Sequence, residues 1–191
     1  MDWRRLGESI LACDACQLHA TRKQAVIGVG DKGADLLVVG EGPGADEDER
    51  GEPFVGQAGK LLDAMLAAID LRRGDKVYIA NVVKCRPPGN RNPEAAETAA
   101  CWPFLARQIE LLQPKLIVAL GLPAARTLLR EEVKIAAVRG SVRDYCGIPL
   151  VITYHPAYLL RNLPEKAKAW EDLCFVRRLL RAASDSPSAS V

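Results

Sequence analysis

Residues 35–40 read DLLVVG, and the chain continues from Gly40 to Asp48 as GEGPGADED. The first segment is a short apolar run, rich in β-branched residues and closed by glycine, which marks a buried strand. Three more runs share its character: VYIANVV from Val77 to Val83, KLIVAL from Lys115 to Leu120 and PLVIT from Pro149 to Thr153. Between the first two lies GKLLDAMLAAID, whose Leu61, Leu62, Met65, Leu66 and Ile69 mark one helical face. A helical stretch separates the second and third runs, and PAARTLLREE follows the third. Strand alternates with helix, and the runs are apolar throughout. The expected fold class is therefore α/β, a parallel sheet covered on both faces.

Pro93 to Gln113 is helical in pattern but carries Pro103, which either kinks the helix or begins a second one. The run from Glu165 to Ala182 sets Trp170, Leu173, Val176 and Leu180 on one stripe with basic residues opposite, an amphipathic surface helix. The 191 residues, 49% hydrophobic and 26% charged, suit one domain with a true core, spanning residues 1–183. The last segment, SDSPSASV (184–191), reads as a disordered tail. With no stretch of about 18 apolar residues and no apolar run in the first residues, a cytoplasmic protein without membrane contact is expected.

The net charge is only +2, but it is unevenly placed. Asp31 to Glu52 carries −6, Arg72 to Arg91 carries +5 and Arg139 to Arg181 carries +4. Converging in space, these segments would set a positive face beside an acidic pocket, which suits a polyanion. Alternatively, they only solvate helix faces.

Six cysteines in a reducing compartment read as thiols or metal ligands rather than disulfides. Cys13 and Cys16 form C-x2-C, Cys85 sits in the loop KCRPPGNRNP just after the second strand, and Cys101 follows. Four thiolates from two distant parts of one domain can enclose a tetrahedral metal or an iron-sulfur cluster. Zinc is the weaker alternative, because the second pair is spread rather than knuckle-like. Cys146 and Cys174 read as ordinary core cysteines.

The loop from Gly40 to Asp48 is neither a P-loop nor a dinucleotide fingerprint, and its acidic tail would repel a triphosphate. It reads as a ligand crevice at a strand end, or as a plain tight turn. Asn81 lies within an apolar run, where an amide is costly unless satisfied. It can donate and accept at once, as a pyrimidine edge requires, or it can serve the backbone. His155, in TYHPAYLLR, follows the fourth strand at the same edge of the sheet, whereas His19 reads as a surface residue.

Together GEGPGADEDERGEPFVGQAGKLL, NVVKCRPPGNRNP with Cys101, and HPAYLLR resemble the uracil-DNA glycosylase superfamily, most closely its family 4, the iron-sulfur type. The likeness runs from Cys13 to about Leu180. It implies a three-layer α/β/α domain around a four-stranded parallel sheet of order 2-1-3-4. It also implies a structural [4Fe-4S] cluster on Cys13, Cys16, Cys85 and Cys101. The implied reaction flips deoxyuridine from single- or double-stranded DNA and hydrolyses its N-glycosidic bond, releasing uracil and leaving an abasic site. A monomer suffices for this, and a sliding clamp is a candidate partner.

By the same resemblance Phe54 stacks on uracil, Asn81 reads its edge, His155 donates to O2, and the backbone of Gly40, Glu41 and Gly42 holds the rest. Family 1 enzymes carry GQDPYH where this chain has GEGPGA, so Gly42 and Gly44 replace an aspartate and a tyrosine. Glu41 or Glu47 thus becomes the candidate for positioning water, and Glu47 the candidate for excluding the thymine methyl. The loop from Pro156 to Arg161 resembles the superfamily's minor-groove wedge, with Tyr158 on the DNA side, Leu159 or Leu160 filling the vacated stack and Arg161 on phosphate. Asn90 supports the DNA backbone. The competing class is a non-catalytic iron-sulfur DNA-binding or lesion-sensing protein, against which the retention of Phe54, Asn81 and His155 argues. A third reading, a zinc-thiolate nucleotide-binding enzyme, requires the resemblance to be accidental.

Overall fold

The computed structural model describes residues 1–185. Its strands are β1 (Val29–Gly30), β2 (Leu36–Gly40), β3 (Val77–Asn81), β4 (Leu116–Leu120), β5 (Val142–Tyr145) and β6 (Ile148–Thr153). Its α-helices are α1 (Trp3–Leu11), α2 (Ala45–Arg50), α3 (Gln57–Ala67), α4 (Ala95–Leu112), α5 (Leu122–Leu129), α6 (Ile135–Val138), α7 (Pro156–Arg161) and α8 (Lys166–Asp185). The strands form one six-stranded sheet in the order β1-β3-β2-β4-β6-β5. The inner strands β3, β2, β4 and β6 are parallel neighbours, the four runs expected from the sequence in the order 2-1-3-4. The expectation of only four strands is corrected by β1 and β5, which pair antiparallel at the two edges.

Each added strand lacks the signal of a buried run. β1 has two residues, and β5 (VRDY) is mostly exposed. β5 joins β6 through Cys146 and Gly147, whose φ values of 50° and 84° suit a hairpin turn matched to strand twist. Cys146 is therefore an exposed turn residue and not a core cysteine.

Alternate side chains of the inner strands enter opposite cores. Leu37, Val39, Ile117, Ala119 and Ile152 pack with α4 and α5, while Leu36, Val38, Ile79, Val118 and Val151 pack with α3 and α8. α1 sits outside α4, burying Leu6 and Ile10. α4 runs through Pro103 as one helix. Within α8, Ala169, Leu173 and Val176 are buried, but Trp170 is 44% exposed and leaves the expected stripe. The helix includes Ser184 and Asp185, the first residues of the expected tail; residues 186–191 lie outside the described residues. No helix among the described residues is long and apolar enough to cross a membrane.

A buried polar bolt ties β3 to α4. Lys84, just past β3, is 1% exposed; its Nζ donates to the Asn81 carbonyl at 2.7 Å and to Gln108 Oε1 at 2.6 Å. Gln108 Nε2 donates to the Ile27 carbonyl at 2.8 Å. Burial lowers the Lys84 ammonium to about 8, so at neutral pH it still carries a charge that needs these acceptors. Replacing Gln108 with Leu should cost about 3 kcal/mol by stripping a buried cation of a partner. Urea denaturation, with an unchanged far-ultraviolet spectrum for the folded state, checks this.

Candidate functional site

The inner strands all end at one edge of the sheet, and a cleft opens there. Gly40 and Asn81, the last residues of β2 and β3, stand opposite each other in register. His155 follows β6 by two residues and caps α7. Phe54, on the loop between α2 and α3, lays its ring beside the imidazole, centroids 5.5 Å apart and planes 30° apart. Glu41, Gly42, Glu47, Phe54, Asn81 and His155 line this one cleft, as do Asn90, Tyr158 and Arg161.

Close packing fixes the cleft floor. A Cβ at Gly40 would stand 2.5 Å from both Asn81 Oδ1 and Phe54 Cζ, so only glycine lets the amide and the ring meet. Asn81 is 2% exposed, and its Oδ1 is buried with no hydrogen-bond partner among the described residues. An unmet buried acceptor is costly, and a donor arriving in the cleft would satisfy it.

His155 is prepared in one tautomer. Its Nδ1 accepts from the Ala157 N–H at 3.1 Å, which leaves the proton on Nε2. Burial pushes its pKa down to about 4, with Arg161 adding to the shift and Glu47 opposing it. The ring is therefore a neutral donor near neutral pH.

The two glutamates differ. Glu47 Oε1 accepts from the N–H of Val55 at 2.9 Å and Gly56 at 3.0 Å, and Oε2 accepts from Gly44 at 3.0 Å. It ties the glycine loop to the Phe54 loop. Glu41 has no side-chain hydrogen bond to the described residues, and burial raises its pKa.

The YLLR segment is a helix, α7, rather than the expected loop, and this separates the two leucines. Leu159 is 1% exposed and belongs to the core beneath, so it is not a wedge; Leu160 is 41% exposed. Tyr158 stacks on Tyr154 at 5.2 Å. Asn90 Oδ1 accepts from Arg86 Nε at 2.7 Å. Arg91, at the end of the basic stretch that begins at Arg72, also lines the cleft and is held to α4 by a two-point pair with Glu97 at 2.7 and 2.8 Å.

Behind this wall Cys13, Cys16, Cys85 and Cys101 line a second, mainly apolar cavity, joined there by Arg22 and His19. Arg22 Nη1 donates to Cys85 Sγ at 2.9 Å and the Lys84 N–H to Cys101 Sγ at 3.2 Å. Burial pushes the Cys101 thiol up to about 11 and raises that of Cys85, so thiolates here call for added positive charge. Among the described residues no three His, Cys, Asp or Glu side chains converge as a single metal ion requires. An all-sulfur donor set in an apolar cavity, with N–H groups aimed at sulfur, fits an iron-sulfur group.

This chain belongs to the uracil DNA glycosylase superfamily, whose family model matches residues 27–174. Its relatives carry a more particular name. The type-4 uracil-DNA glycosylase of Pyrobaculum aerophilum is 46% identical over 181 residues, covering 91% of this chain and 92% of that protein. The type-4 uracil-DNA glycosylase of Thermotoga maritima is 49% identical, covering 82% of each chain, and that of Archaeoglobus fulgidus 46%, covering 79% of each.

The His155 shift has a stability consequence whose sign is fixed. Its folded value of about 4 lies below the ordinary 6.5, so as pH falls between these values the unfolded chain gains a proton that the folded chain refuses. Stability should drop across that window by on the order of 3 kcal/mol and be unaffected by this group above pH 7. Denaturation of the wild type and His155→Gln from pH 7.5 to 4.5 checks it: the wild type should lose more stability than the variant on acidification.

Proposed function

We propose that the chain is a monofunctional uracil-DNA glycosylase of the type-4 kind, which takes deoxyuridine out of DNA and hydrolyses its N-glycosidic bond. The observation that carries the reading is the buried, unpartnered Asn81 Oδ1 beside an aromatic face and a neutral Nε2–H donor. Uracil presents N3–H to that oxygen and O4 to the amide N–H, while cytosine reverses the pattern. Phe54 covers one face of the flat ring. The backbone of Gly40, Glu41 and Gly42 bounds the remaining edge.

As the bond from the anomeric carbon to N1 breaks, electrons move onto uracil and positive charge onto the sugar. His155 Nε2–H meets the charge growing on O2, a contact stronger in the transition state than in the ground state. Being neutral, the ring offers this hydrogen bond without burying a full positive charge in the cleft. Glu41, whose side chain has no hydrogen bond to the described residues, faces the sugar side as the residue that positions water and steadies the cation. Glu47 acts by holding the loops, and fixes the wall against which a thymine methyl would press. Leu160 fills the gap left by the flipped nucleotide, Arg161 meets phosphate, Tyr158 lies against the strand, and Asn90 supports the loop beside it. The cleft is complete within one chain, so a monomer suffices.

Cys13, Cys16, Cys85 and Cys101 would hold a [4Fe-4S] cluster, with zinc the weaker alternative because no three such side chains among the described residues converge as a single ion requires. When bound, the cluster supplies a rigid cross-link between the N-terminal segment, the loop after β3 and α4. Bound iron and acid-labile sulfide in equal amounts support this, and zinc without sulfide overturns it. Cys85→Ser should lower the bound metal and the melting temperature together.

Incubation with an oligonucleotide carrying one uracil, then alkali, should cut the strand only at uracil and not at cytosine or thymine. His155→Ala should lower kcat roughly 100-fold with little change in KM. Glu47→Ala should begin to release thymine. Absence of cleavage by metal-loaded protein would favour the non-catalytic DNA-binding reading.

A further inference from the structure

Arg73 belongs to the basic stretch from Arg72 to Arg91, where charge alone would assign it to a polyanion. Its surroundings assign it elsewhere. It lies in the turn beyond α3 with only 18% of its side chain exposed. Nη1 donates to the Pro53 carbonyl and Nη2 to the Phe54 carbonyl, both at 2.6 Å. Nε and Nη2 reach Asp63 Oδ1 at 3.1 and 3.0 Å, and Nη1 lies 3.4 Å from Glu52 Oε1. A guanidinium has five N–H groups, so these contacts leave none for a phosphate.

The carbonyls it grips flank a strained residue. Phe54 has a φ of 55°, a left-handed conformation that a side-chain-bearing residue keeps only where its surroundings impose it. Glu47 takes the next two amides, Val55 and Gly56. A cation therefore holds the carbonyls of the peptides before and after Phe54, and an anion holds the two N–H groups that follow it. α3 presses on the same point, since a Cβ at Gly59 would fall on the Phe54 carbonyl oxygen.

We infer that Arg73 is a positioning residue for the base pocket, fixing the backbone of Phe54 so that its ring lies at the depth and tilt where a flipped pyrimidine stacks. The inference rests on the reading of the cleft as a uracil pocket. Lysine cannot replace it, because a single ammonium lacks the planar fork that spans two adjacent carbonyls and a carboxylate.

The test compares wild type, Arg73→Gln, Arg73→Lys, Phe54→Ala and the doubles of each Arg73 variant with Phe54→Ala. Each is assayed on a single-uracil oligonucleotide and for inhibition by free uracil, well below its melting temperature. Both Arg73 variants should lose about tenfold or more in kcat/KM and in sensitivity to free uracil, as expected for a displaced contact. Added to Phe54→Ala, either should cost less than about twofold further, because the ring it positions is already gone. Unaltered uracil inhibition in the Arg73 variants, or a loss that adds in full to that of Phe54→Ala, would overturn the inference. Should Arg73→Gln fail to fold, Arg73→Lys and its double carry the same comparison. An inactive wild type would overturn the glycosylase reading itself, whereas an active wild type with unaltered Arg73 variants overturns only the role of Arg73.

Discussion

The carboxylate of Glu47, on the short helix α2, holds three backbone N–H groups from the loops on either side of that helix. A parallel sheet presents its strand ends as a row of short loops, and loops alone do not keep side chains at fixed distances. Here one anion draws the glycine loop after β2 against the loop that carries Phe54. Arg73 grips that second loop from behind, so the aromatic floor, the Asn81 amide and the His155 imidazole keep their relation before any ligand arrives. A site organised in advance loses little on binding, which is the general condition for electrostatic catalysis.

The same edge shows why two polar groups can be buried so deep. Asn81 closes β3, and its carbonyl takes the Lys84 ammonium while its side-chain oxygen faces the cleft. The lysine in turn leans on Gln108 of α4, the helix that carries Cys101. Base cleft and cysteine cavity are thus two sides of one wall, and the buried polar chain is its mortar. A fully apolar wall would pack as well but would leave the Asn81 carbonyl without its donor.

Much of this was legible in the sequence because parallel strands and covering helices leave strong patterns. The four inner strands, and the place of Asn81 and His155 at one edge, follow from apolar runs and the residues at their ends, whereas the strand order and the place of Phe54 came only with the family resemblance. What was not legible depends on register and on long-range hydrogen bonds. β1 is too short and β5 too polar to show periodicity. Leu159 and Leu160 look alike until a helix turns one inward and the other out. Arg73 reads as one more surface cation, since nothing in its neighbours announces two carbonyls nearly twenty positions earlier. Glu41 and Glu47 are equivalent as letters and part only when the N–H groups around each are counted.

The placement of the cysteines bears on how the chain is made. Cys13 and Cys16 leave the ribosome long before Cys85, and Cys101 follows inside a helix whose own seat requires β2 and β3 to be paired. Chains fold from the N-terminus as they are synthesised, yet here the earliest residues have no complete seat until α4, on which α1 packs, has been made. The N-terminal segment therefore seats late, when α1 buries Leu6 and Ile10 against α4, and the closing of the cysteine cavity is a finishing step rather than a nucleus for folding.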